Sequence, residues 1–105
     1  MISRHVFHVD TDTGTWVGVS APFMGSLRQV RWNPEGADTG GSLEMTMLLN
    51  ETDTGDGWTF LQKAGLGTAF VDTGVNVIGA GEKFKVSVRP GAASLSGKLY
   101  VWVGE

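Results

Sequence analysis

Apolar and polar residues alternate along most of this chain, and the alternation predicts strands. Leu43, Met45, Met47 and Leu49 interleave with Glu44, Thr46, Leu48 and Asn50, which puts one apolar set on a single face of an extended segment. Phe84, Val86 and Val88 interleave with Lys83, Lys85, Ser87 and Arg89 in the same way. Val30 and Trp32 against Gln29 and Arg31 predict a third strand, stopped by the turn sequence Asn33-Pro34-Glu35-Gly36. Residues 4–9, 15–20, 58–63, 68–71 and 98–103 are further extended candidates, which brings the total to about eight. A helix needs apolar residues at three- and four-residue spacing over ten or more positions, and Gly65 and Gly67 interrupt the best such window.

The last of these strands differs from the others. Leu99, Val101 and Val103 face one way while Tyr100 and Trp102 face the other, so both faces are apolar. A two-layer sandwich buries only one face of each sheet. A loop, a second chain of an oligomer or a larger partner must cover the aromatic pair.

Composition sharpens the fold. Glycine supplies 16 of 105 residues, about twice the usual ~7% share, without a three-residue period. Asp10-Thr11-Asp12-Thr13-Gly14, Asn33-Pro34-Glu35-Gly36, Asp53-Thr54-Gly55-Asp56-Gly57, residues 76–81 and Pro90-Gly91 all favour turns, through positive φ or Asx hydrogen bonding. Short strands with such turns at roughly 8–12-residue spacing predict an all-β, jelly-roll-like β-sandwich, one domain over residues 1–105.

The net charge is −3 and the eight Lys and Arg are scattered, so no basic run points to nucleic acid as a partner. The opening residues 1–5 lack the apolar run of a signal peptide, and no stretch is long enough to span a bilayer. The expectation is a soluble chain made in a cytoplasm, with no membrane partner. Cysteine is absent, which excludes disulfides and thiolate metal sites. His5 and His8 are the only histidines, and their odd offset points them to opposite faces of a strand, where they cannot chelate zinc together.

Asp-Thr-Gly occurs four times, starting at Asp12, Asp38, Asp53 and Asp72. It is the tripeptide of aspartic proteases, whose chemistry needs two such carboxylates sharing one proton. Asp72 has the apolar lead-in Phe70-Val71, but only 31 residues follow Gly74, too few for the rest of such an enzyme. The expected role is a turn in which Asp accepts a backbone N–H and Gly takes the left-handed position. Asp10, Asp12 and Gly14 imitate the start of a calcium loop, but Ala21 stands where the bidentate Glu belongs; Glu51, Asp53 and Asp56 form a looser acidic turn. Neither a Ser-His-Asp set nor a phosphate loop is legible, so the expectation is a protein that is not an enzyme and has no cofactor. Four tryptophans admit a carbohydrate-binding module, although Trp16, Trp32 and Trp58 are expected to fill the core.

The segments Gly79-Ala80-Gly81-Glu82-Lys83-Phe84-Lys85-Val86-Ser87-Val88 and Gly97-Lys98-Leu99-Tyr100-Val101-Trp102-Val103 resemble the small β-structured virion proteins of tailed bacteriophages. The resemblance covers about the last quarter of the chain. It implies a capsid decoration (cement) or head-fibre protein, located in the virion after assembly in the host cytoplasm. Such a protein is a homo-oligomer, often a trimer, with the major capsid protein as its partner. The interface residues it suggests are Tyr100 and Trp102, joined by Phe23 and Met24 of the loop Ala21-Pro22-Phe23-Met24-Gly25. The rival reading is a carbohydrate- or receptor-binding β-sandwich module.

Overall fold

The computed structural model describes residues 2–11, 14–35, 40–48, 57–75, 77–91 and 94–104. Among the described residues, alternation becomes nine strands: β1 (Ile2–Asp10), β2 (Trp16–Val19), β3 (Met24–Pro34), β4 (Ser42–Leu48), β5 (Gly57–Ala64), β6 (Phe70–Asp72), β7 (Ile78–Ala80), β8 (Lys83–Arg89) and β9 (Ser96–Gly104). They form two antiparallel sheets in the orders β1-β9-β3-β6, with β7 also on β3, and β2-β8-β4-β5. Apart from the β4–β5 pair, neighbours in each sheet are distant in sequence, and successive strands mostly change sheet. This is the double Greek-key order of a jelly roll.

The core lies between the sheets. Val30, Trp32, Leu99, Val101 and Val103 descend from one sheet, and Leu43, Met45, Phe84, Val86 and Val88 rise from the other, all of them almost fully buried. β8 shows the cause: its three apolar residues are fully buried while Lys83, Lys85 and Ser87 between them stay partly open. Among the described residues, the two buried polar ones, Thr11 and Ser20, act as staples. Thr11 extends the β1–β9 ladder, its N–H donating to the Leu95 carbonyl at 2.9 Å and its Oγ1 accepting from the Leu95 N–H at 2.7 Å. Ser20 does the same for β2–β8, donating to the Phe84 carbonyl at 2.9 Å and accepting from the Phe84 N–H at 2.9 Å.

Four details differ from the sequence expectation. Residues 76–81, expected as a turn, contain β7, because Ile78, Gly79 and Ala80 pair with Ser26, Gly25 and Met24. In β3 a bulge between Leu27 and Gln29 inserts Arg28. Strict alternation back from Val30 would drive that arginine into the core. The extra residue instead turns Leu27 inward and Arg28 outward. Leu48, expected among the polar-facing set, is buried beside Met47. Trp58, expected in the core, is 47% exposed at the start of β5, its ring edge-on to Phe60.

Candidate binding face

The outward side of the β1-β9-β3 sheet carries the aromatic pair. Tyr100 and Trp102 are two residues apart on β9, so both rise from the same face, half-buried. Their rings stack on one another, with centroids 5.8 Å apart and an interplanar angle of 25°. Register sets their neighbours: Tyr100 lies between Val6 and Arg31, Trp102 between Arg4 and Gln29, and Lys98 between His8 and Asn33. The Arg4 guanidinium sits over the Tyr100 ring, 5.5 Å from its centroid. Arg28 lies along the same face, its side chain passing over Gly104, where a Cβ would come within 2.4 Å of the Arg28 Nε.

Four of the chain's eight basic residues, Arg4, Arg28, Arg31 and Lys98, therefore share one face with the stacked pair. Lys98 is offset by Glu35, 4.0 Å away. The scattering of cations in the sequence did not reveal this grouping, because residues 4, 28, 31 and 98 meet only through cross-strand register. Ile2, Val6 and Val71 add exposed apolar surface to the same face. Arg4, Arg31, Asn33, Tyr100 and Trp102 line a shallow dish of about 240 Å³. That is smaller than the ~300–1,000 Å³ usual for ligand pockets. Among the described residues, no strand packs over this face.

Of the other expected interface residues, Met24 is 58% exposed and lies on the same sheet, beyond Gly104. Phe23 is corrected. It is 4% exposed, with its ring edge-on to Phe84 at 5.7 Å and so close to β7 that only a glycine fits at Gly79. A lone Phe after Ala21-Pro22 has no periodicity to betray that it plugs the core, so the sequence placed it on the surface with Met24.

The remaining chemical candidates resolve into structure. Asp72 accepts the Gly74 N–H at 2.8 Å and pairs with Lys63 at 3.3 Å. This is the Asx turn expected of Asp-Thr-Gly, although Gly74 keeps negative φ; Gly14, which ends the first copy, has φ +116°. Asp12, Asp38 and Asp53, together with Glu51 and Asp56, lie outside the described residues. Among the described residues no three His, Cys, Asp or Glu side chains gather to hold a metal. His5 faces the core rim against Phe84, and His8 faces outward.

No family model matches the chain, and no curated protein matches it. Among solved structures, a crystal structure of FLHE is similar over 100% of this chain and 97% of that one, at 13% identity and a TM-score of 0.47. A likeness that weak supports no functional conclusion.

Proposed function

We propose that this chain is a structural protein of a virion, a capsid decoration protein that binds the shell through the outer face of β1, β9 and β3 and performs no chemistry. The observation that carries this reading is the Tyr100–Trp102 stack, half-buried and flanked by Arg4 and Arg31 on an open sheet face. Aromatic residues and arginine are the side chains that dominate protein–protein contact energies. A flat face with no deep cleft fits a partner that is itself a flat surface. Three arginines on it favour a capsid surface bearing carboxylates, since guanidinium–carboxylate pairing is geometrically specific. Many copies, each adding a modest contact across neighbouring capsid subunits, would stabilise the shell as a clamp.

The rival reading, a carbohydrate-binding module, is less well supported by the ring geometry. A sugar stacks on an open ring face, whereas each ring here spends one face on its neighbour and Arg4 lies over Tyr100. The same closure disfavours base stacking of a nucleic acid. Cosedimentation with capsids separates these readings. A decoration protein pellets with the shells, pellets less as salt rises, and is displaced neither by free glycans nor by an oligonucleotide. Failure to pellet with capsids, or competition by either ligand, overturns the proposal.

A further inference from the structure

The shallow dish on the outer face brings together side chains from three strands: Arg4 of β1, Tyr100 and Trp102 of β9, and Arg31 and Asn33 of β3. In register Arg4 belongs opposite Trp102, one row away from the row that pairs Tyr100 with Arg31. Its guanidinium nevertheless lies over the Tyr100 ring, 5.5 Å from the centroid, so Arg4 leans along the sheet toward the row that holds Arg31. A guanidinium laid on an aromatic face keeps its N–H edges available in its own plane. Two cationic forks, Arg4 and Arg31, therefore line one depression together with Asn33. Among the described residues no carboxylate pairs with either arginine. Glu35, the acid that follows Asn33 by two residues, is engaged by Lys98 at 4.0 Å.

We propose that this dish is a subsite for a single carboxylate, an Asp or Glu side chain of the protein that covers the face. The inference rests on reading the face as a protein contact surface and narrows that contact to one group in one place. Charge selects the sign of the occupant, since a second copy of the same face would set arginine against arginine. Chemistry selects a carboxylate over a phosphate. β9 is flanked by β1 on one side and β3 on the other, so its backbone N–H groups are committed to two ladders and the dish offers side-chain donors alone. Phosphate sites draw on converging backbone N–H groups, at a helix N-terminus or in a nest, and the residues lining this dish supply neither. A carboxylate needs only the forks, because a guanidinium matches its two oxygens edge to edge. Size agrees with chemistry: about 240 Å³ admits the tip of one acidic side chain, its methylenes against the Tyr100 and Trp102 rings, and is small for a free ligand. Tyr100 is then a positioning residue, whose ring face carries the Arg4 guanidinium toward Arg31.

The test uses the whole chain without capsids. Isotope-labelled protein is titrated with N-acetyl-glutamate α-amide, which carries one carboxylate, at an ionic strength held constant with sodium chloride. The Arg4 and Arg31 Nε–H resonances should move together and saturate, while that of Arg28, over Gly104, stays in place. Arg31→Gln should weaken binding by about tenfold or more, the loss expected of a charge-assisted hydrogen bond. Tyr100→Leu should weaken it although no charge is removed, and Tyr100→Phe should keep it, because the ring face is what Arg4 rests on. The subsite is overturned by a response that does not saturate, by movement of one arginine without the other, by saturation with inorganic phosphate at lower concentration, or by wild-type affinity in Tyr100→Leu. The capsid reading fails separately. Saturation by the glutamate probe in a protein that does not pellet with capsids leaves the subsite standing, whereas a folded Arg31→Gln protein that pellets like wild type removes the subsite and leaves the face.

Discussion

The indole N–H of Trp32 donates to the Leu66 carbonyl across 2.7 Å of buried interior, tying the C-terminal part of β3 to the turn after β5. Both residues are fully buried, so neither partner has water to fall back on. Trp32→Phe keeps most of the apolar ring but orphans that carbonyl, and should lower unfolding free energy by about 1–3 kcal/mol in denaturant titration. The same ring covers Gly97, where a Cβ would sit 2.5 Å from Trp32 Cη2 and 2.7 Å from the Asn33 carbonyl oxygen. Gly97→Ala should therefore destabilise by about 1–3 kcal/mol, because the obstructing oxygen is backbone. Stability unchanged in both variants would contradict this packing.

The staples make a second prediction. Thr11→Val preserves shape but removes the oxygen that receives the buried Leu95 N–H. Ser20→Ala removes the acceptor of the Phe84 N–H. Each should cost about 1–3 kcal/mol, and the two should add, since they close different strand pairs in different sheets. A double-mutant cycle of chemical melts checks this.

Glu82, in the turn between β7 and β8, is held below the ordinary glutamate value because its carboxylate accepts the Ala80 N–H and then its own backbone N–H. A carboxylate lowered on folding stabilises the fold above its unfolded value, and that contribution is lost as pH falls through the lower folded value. The side chain is largely open to solvent, so the effect is small. Glu82→Gln should lower stability at neutral pH and narrow its difference from wild type in acid, as measured by melting temperature against pH. A difference that widened in acid would reverse the assignment.

Much of the fold is legible in the sequence, for a physical reason. β4, β8 and β9 have one face against the core and one away from it, so Leu43 and Met45, Phe84 to Val88 and Leu99 to Val103 write the two-residue period directly. The aromatic outer face of β9 is legible for the same reason. β7 is not, since three residues containing a glycine carry no period. Arg28 is hidden because a bulge breaks alternation at a point that sequence does not mark. The arginines of the binding face are hidden because Arg4 meets Tyr100, and Arg31 flanks it, only after β1, β9 and β3 come together.

The central claim is that the face bearing Tyr100 and Trp102 is a contact surface rather than a structural accident. The most direct measurement is cosedimentation of Trp102→Ala with capsids, with the melting temperature recorded alongside. Trp102 is half-buried on the outer side of β9, while the inward Leu99, Val101 and Val103 hold the core. The account predicts a folded variant whose capsid affinity drops by about 30-fold or more, the loss expected when a hot-spot tryptophan worth about 2 kcal/mol is truncated. Capsid binding equal to wild type in a folded Trp102→Ala protein would contradict it.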